Sequence, residues 1–339
     1  MARIGFDGLM ISPNGKGHAR SERHAAEALA ARGEHEVVVF VRERVDVEGA
    51  ETVRVGERLT IDWELRGMAR AASRHGLDAF VSLSERLPLA GGPPVVVWLF
   101  ESPLHRIRAN RVSGAPLRHR ASDAVTAALW RRSLRRAAHV AFGSRATRDE
   151  VTADVPLAST SVVLPGLSPG FSPGPATDRG TYAFHLGSSD PRDNTAVAVE
   201  ACLRAGVRLL VAGGWSGDGA EALGRVTDDE LVDLYRAATV FVDPTRYEGF
   251  GYGVLEAMAC GTPVVASRVT SIPEVVGEAG LLCDPDSAEE FAAAIGQVVE
   301  DAALRVRLRD AGLARAGVFT WAETAAGLSD AIAAALRSR

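Results

Sequence analysis

The chain has 339 residues, 47% hydrophobic and 24% charged, with a formal charge of −5 at pH 7. This is the composition of a globular protein of roughly two domains, and it excludes a disordered, collagen-like or multi-span membrane chain. Of 38 basic residues only Lys16 is a lysine; GC-rich codon bias accounts for the arginines, and Lys16 reads either as a leftover of that bias or as a position that could not drift to arginine.

In chain order, Arg3–Phe6 reads as a strand and Ala19–Ala31 as a helix. Strands follow at Val37–Val41, Ala79–Leu83, Val95–Phe100 and His139–Phe142, with helices at Thr60–His75 and Asp123–Ala137. The stretch LPGLSPGFSPGP at 164–175 is too rich in proline and glycine to continue a helix or a central strand, so it reads as a linker. Beyond it the pattern restarts. Strands are predicted at Tyr182–Leu186, Arg208–Ala212, Val240–Val242 and Pro263–Ala266, and helices at Thr195–Ala205, Asp228–Ala237, Gly253–Ala259 and Ala288–Val299. Strands alternating with longer helices, twice over, predict two doubly wound parallel α/β domains facing each other across a cleft that holds the ligand. The expected division is 1–165, a linker at 166–175, 176–318, and a final helix at 319–339.

Charge is uneven. Residues 1–170 carry 24 basic against 19 acidic residues, and in 102–148 eleven arginines face the single acid Asp123. Such a run suits an anionic acceptor or peripheral contact with an anionic membrane surface, and equally a solvated helix face. No nucleic-acid-reading motif accompanies it, so nucleic acid is not an expected partner. Three cysteines without CxxC spacing fit a cytoplasmic protein with buried thiols. The N-terminus lacks a signal peptide's apolar core, and no apolar run is long enough to span a bilayer. Eight scattered histidines with no HxH or HxxxH pair do not point to a metal centre.

The loop Pro13-Asn14-Gly15-Lys16-Gly17-His18 follows the first strand and opens a helix, where backbone amides can approach an anion. It is neither a P-loop nor a dinucleotide fingerprint, because Gly17 and Arg20 stand where those motifs need other residues. Gly15, Lys16 and Gly17 are therefore candidate anion contacts. A tight turn with no ligand is the plainer alternative. Glu101 and His105 follow the strand ending at Phe100, and with Arg108 they are candidate acceptor contacts. Ser144 lacks the following glycine of a GxSxG elbow, so a hydrolase triad is unsupported.

The most specific signal is DPTRYEGFGYGVLEAMACGTPVVAS at 243–267. Glu248 and Glu256 are separated by seven residues that include three glycines, so a continuous helix is not expected. Glu248 is expected on a loop and Glu256 near the first turn of the next helix, with the amides of Phe250 and Gly251 between them. Acids flanking exposed amides suit a ligand that carries both hydroxyls and phosphates.

This segment, continued by IPEVVGEAGLLCDPDS at 272–287, resembles the retaining glycosyltransferases of group 4, with the GT-B fold. The resemblance implies transfer of a sugar from a nucleoside-diphosphate donor to an acceptor hydroxyl, with retention, without a metal and without a further cofactor. No oligomeric state is implied. Carried over by position, Glu256 meets the donor ribose, Glu248 the transferred sugar, Phe250, Gly251 and Tyr252 the sugar and phosphates, and Val226 the nucleobase. The family's usual arginine after HLG is replaced by Ser188 following Gly187, and its usual lysine after PR by Asp193. Arg192 and Lys16 are then the expected replacements as catalytic cations at the leaving diphosphate. A sugar-nucleotide epimerase or phosphorylase on the same fold, or a paralogue that binds without transferring, are the competing readings.

Overall fold

In the computed structural model the described residues are all except 13–17, 57–59, 84–86, 89–90, 103, 105–116, 175–180 and 339, and the side chains of 18 and 117–122 are also left aside. The chain divides into two compact units, the first formed by Met1–Gly166 with Thr320–Arg339 and the second by Leu167–Phe319.

The first unit is built on seven strands: β1 Ala2–Asp7, β2 His35–Val41, β3 Glu51–Arg54, β4 Ala79–Ser82, β5 Val95–Leu99, β6 His139–Phe142 and β7 Thr160–Val162. They lie side by side in the order β3-β2-β1-β4-β5-β6-β7, every pair parallel. The order reverses between β1 and β4, which puts a crevice beyond the carboxyl ends of these two strands. Because both faces are covered, the central strands are largely apolar, with Ile4, Phe6, Val38 and Val81 completely buried. Gly5 is the exception that packing requires: a Cβ there would lie 2.5 Å from the Phe80 ring.

Helices α1 (His18–Ala31), α2 (Thr60–Asp62), α3 (Met68–His75), α4 (Leu117–Arg136) and α5 (Arg145–Asp154) connect these strands. Between α2 and α3 the helix widens into a π-helical turn, Trp63–Gly67, that buries both Trp63 and Glu64. Ser144 caps α5, its hydroxyl accepting from the Thr147 amide at 3.1 Å.

The second unit carries six strands: β8 Tyr182–Gly187, β9 Arg208–Gly213, β10 Glu221–Gly224, β11 Val240–Asp243, β12 Val264–Ser267 and β13 Gly280–Cys283. Their order is β10-β9-β8-β11-β12-β13, again all parallel, with the reversal between β8 and β11. Helices α6 (Thr195–Ala205), α7 (Asp228–Ala237), α8 (Tyr252–Ala259), α9 (Ile272–Val276), α10 (Ala288–Glu300) and α11 (Ala302–Ala316) accompany them. One core cluster joins Ala198 and Cys202 of α6 to Phe291, Ile295 and Val298 of α10 over Val211, Val240 and Val265 of the sheet. Thr227 opens α7 with a reciprocal cap, in which its side chain and that of Glu230 each accept from the other residue's backbone amide.

The last helix, α12 (Trp321–Arg337), belongs to the first unit and packs on α1. Thr324 donates its hydroxyl to the Leu164 carbonyl at 2.8 Å, and Ser329 donates to the Glu34 carboxylate at 2.5 Å. Gly166 leaves the room that Trp321 fills, since a Cβ there would lie 2.5 Å from the Trp321 amide nitrogen.

Candidate functional site

In the second unit the carboxyl ends of β8 and β11 flank the point where the strand order reverses. Three segments meet there: the loop 188–194 after β8, the loop 244–250 after β11, and the start of α8. The two loops are stapled together. The Arg192 carbonyl accepts from the Arg246 amide at 2.8 Å and from the Thr245 hydroxyl at 3.1 Å. Asn194, in the left-handed region at φ 55°, donates its side-chain amide to the carbonyls of Pro244 at 2.9 Å and Pro285 at 2.6 Å.

Glu248 lies on the second of these loops, half-buried. Its backbone is fixed at both ends of the residue: its amide donates to the Thr270 hydroxyl at 3.1 Å, and its carbonyl accepts from the Ser271 hydroxyl at 2.8 Å. Gly251 then turns the chain into α8 at φ 104°, a conformation that strains any side chain, and a Cβ would lie 2.8 Å from Ile272 Cδ1. This turn leaves the first amides of α8 without helical acceptors, at the end of the helix that favours negative charge. Phe250 is buried and serves as an anchor, its ring meeting Tyr252 at 5.1 Å and Phe319 at 5.7 Å.

Glu256 is the fifth residue of α8, one residue further in than the sequence suggests, because the helix begins at Tyr252 and not at Gly253. Its side chain is buried and accepts from the Tyr235 hydroxyl of α7 at 3.4 Å. Val226 is half-buried and lines, with Tyr182, Leu223, Glu230 and Leu234, a groove of about 490 Å³ along α7.

Gly187 closes β8, and Ser188 begins the loop. The Ser188 hydroxyl accepts from the Asp190 amide at 3.0 Å and donates to the Asp193 carboxylate at 2.5 Å. Arg192, expected to serve the leaving group, directs its guanidinium at Asp190, with Nη2 at 2.9 Å and Nε at 3.1 Å from Oδ2.

Two further residues here were not anticipated. His185 is buried in β8, where Nδ1 donates to the Val242 carbonyl at 2.9 Å and Nε2 accepts from the Thr195 hydroxyl at 3.1 Å. Burial pushes it down to about 4, so it is neutral. Asp243 ends β11 and accepts from the Thr245 amide at 3.3 Å. Desolvation, with a contribution from the negative charge of Asp193, pushes it up to about 7. A histidine in an apolar strand and an acid at a strand's end were the available signals.

In the first unit, Asp7 ends β1 at the equivalent reversal of strand order. Its carboxylate accepts from the Trp63 indole at 3.2 Å and from the Ser82 hydroxyl of β4 at 3.3 Å. Nearby Glu22 of α1 accepts from the Met10 amide at 3.2 Å. Burial, and then the charge of Asp7, hold its carboxyl well above the usual range. The sequence reading had no place for this network; its organising feature is the π-helical turn that aims Trp63 at Asp7. Glu101 is half-buried just beyond β5. Gly15, Lys16, Gly17, His105 and Arg108 lie outside the described residues. Among the described residues no three His, Cys, Asp or Glu side chains gather as metal ligands, and no helix is long and apolar enough to cross a membrane. All three cysteines are free and buried.

Residues 189–301 match the family model described as glycosyl transferases group 1. The matched stretch lies within the second unit. It contains Arg192, Val226, Glu248 and Glu256, and it begins one residue after Ser188. Over 161 residues the chain is 40% identical to the O-antigen chain mannosyltransferase B of Escherichia coli, covering 41% of this chain and 42% of that one. The chain thus spans less than half the length of the curated relatives it matches. Among solved structures, sucrose-phosphate synthase from Thermosynechococcus elongatus aligns over 100% of both chains with a TM-score of 0.79 at 20% identity. Alr3699/HepE of Anabaena, solved in complex with UDP-glucose, aligns over 98% of this chain and all of that one with a TM-score of 0.71 at 17% identity. Two parallel-sheet α/β units with these neighbours define the GT-B fold.

Proposed function

We propose that the chain is a retaining glycosyltransferase that moves a hexosyl group from a nucleoside-diphosphate sugar to an acceptor hydroxyl. The observation that carries this reading is the order Glu248, Gly251, Glu256 at the β8/β11 reversal. One acid lies on a braced loop, a glycine-enabled turn bares backbone amides, and a second acid is buried one helical turn further on. Its support from likeness is the group 1 match over this stretch, the mannosyltransferase relative, and a structural neighbour that binds UDP-glucose.

In this reading Glu256 accepts hydrogen bonds from the ribose hydroxyls, and Val226 marks the side on which the base packs. Glu248 accepts from hydroxyls of the transferred sugar and fixes its anomeric carbon beside the amides of Phe250, Gly251 and Tyr252. As the C1–O bond lengthens, positive charge grows on the sugar ring and negative charge on the departing diphosphate. Amides already oriented by the left-handed turn meet that negative charge without reorganising. The acceptor hydroxyl attacks from the side the leaving group vacates and gives its proton to the departing diphosphate oxygen, so the new C1–O bond forms on the same face as the broken one and configuration is retained. For the acceptor, Glu101, His105 and Arg108 of the first unit are the contacts expected from the sequence, whereas Gly15, Lys16 and Gly17 are expected at the donor phosphates.

A thermal-shift screen of nucleoside diphosphates tests the reading. A ligand present at about 100 times its Kd adds ~2.7 kcal/mol to stability, so the matching nucleotide raises the melting temperature. Glu256→Gln removes that shift. No shift with any nucleoside diphosphate rejects the assignment.

A further inference from the structure

Among the described residues, the charged side chains of the two loops at the β8/β11 reversal do not favour a polyanion. Arg192 is paired with Asp190, and Arg246 with Asp286 at 2.7 Å, so both arginines of the stapled loops are committed to carboxylates on their own side. His185 is neutral. Asp193, by contrast, makes no ion pair among the described residues. Its side chain is fixed by the Ser188 hydroxyl, at the first position beyond the carboxyl end of β8. The charge of Asp193 reaches into the reversal: it helps to raise Asp243 at the end of β11 and works against the depression of His185 within β8.

We propose that Asp193 is a specificity-determining residue of the donor site: its carboxylate, locked by Ser188, sets a standing negative charge beside the leaving-group end. The inference rests on the donor reading above. The diphosphate is then held by backbone amides against an opposing charge, so the nucleoside diphosphate product binds weakly and leaves readily. Donor affinity then comes mainly from contacts to ribose, base and sugar. The opposition scales with the charge of the ligand, because a Coulomb term is proportional to it. A bare nucleoside does not feel it.

The Asp193→Asn variant is a clean probe, because an amide oxygen still accepts from Ser188 and the loop keeps its geometry. Asp193→Lys supplies the opposite charge as a second variant. Calorimetric titration uses the nucleoside, monophosphate and diphosphate of whichever base among uridine, guanosine and thymidine gives the largest thermal shift. Asp193→Asn is expected to tighten the diphosphate about tenfold, the equivalent of ~1.4 kcal/mol. The monophosphate gains less, the nucleoside is unchanged, and Asp193→Lys gains more than Asp193→Asn. Product inhibition by the diphosphate strengthens in parallel, and the gain shrinks as salt is raised. Equal diphosphate affinity in wild type and both variants overturns the proposal. So does an equal gain for the uncharged nucleoside, which would be a shape effect rather than a charge effect. If the wild type binds no nucleoside diphosphate at all, the donor reading fails first and this inference falls with it.

Discussion

The Tyr235 hydroxyl donates to the Glu256 carboxylate at 3.4 Å, tying α7 to α8 inside the second unit. Tyr235 is completely buried, and its ring packs edge-on against Phe184 and Phe241, so its hydroxyl has little freedom to point elsewhere. A buried acid held this way presents its remaining acceptor capacity in a fixed direction.

Tyr235→Phe removes the hydroxyl and keeps the ring. Loss of one buried hydrogen bond to an acid is expected to cost about 1–2 kcal/mol of stability, measured by chemical denaturation. Donor KM is expected to rise several-fold with little change in kcat, because the hydroxyl orients a binding group and touches no reacting atom.

Gly251→Ala adds a methyl group at φ 104°, 2.8 Å from Ile272 Cδ1. Backbone strain at such a position costs of order 1–3 kcal/mol. The larger consequence is for the turn. Relief by rotation swings the amides away from the leaving group, so kcat is expected to fall by one to two orders of magnitude, an effect typical of losing an oriented donor. Steady-state kinetics beside a melting curve separates the two effects.

Asp243 and His185 give opposite pH dependences of stability. Asp243 titrates at about 7 in the folded chain against an ordinary value of 3.8. As pH rises between these values the unfolded state releases the proton first, so stability is present below the window and lost across it. His185 is lowered from 6.5 to about 4, so the unfolded state takes up a proton first as pH falls and stability is lost toward pH 4. Asp243→Asn keeps an acceptor for the Thr245 amide and removes one slope. The variant is expected to match wild type near pH 4 and exceed it by a few kcal/mol near pH 8, read from urea unfolding at several pH values.

If the transfer proceeds as proposed, the anomeric configuration of the donor is preserved. Proton NMR of the first-formed product, by its anomeric coupling, distinguishes retention from inversion. An inverted product rejects the proposed chemistry while leaving the fold untouched.

How much of this was legible in the sequence differs from residue to residue. The long buried strands announced themselves, because β2 and β5 are almost unbroken valine and aromatic runs. The edge strands β3, β7 and β10 did not: ETVR, TSV and EALG are three or four residues long and largely polar, and only pairing with a neighbour makes them strands. The placement of Glu248 on a loop and Glu256 in the helix after it was legible, because three glycines between the two acids rule out one continuous helix. The neutral state of His185 and the raised Asp243 were not legible, since both depend on which strands lie beside them. Pairing of Arg192 with Asp190 also escaped, although the two are only two residues apart, because the turn that brings them together is set by Ser188.

The first unit is assembled from the two extremes of the chain, whereas the second is one uninterrupted stretch, Leu167–Phe319. During synthesis from the N-terminus the second unit is therefore complete before α12 has emerged. Until then the seat beside Gly166 that Trp321 fills, and the Leu164 carbonyl that Thr324 satisfies, stand open to solvent. The second unit is thus set to mature ahead of the first, and a nascent chain that has emerged from the ribosome only as far as residue 319 displays a finished second unit and an uncapped first one.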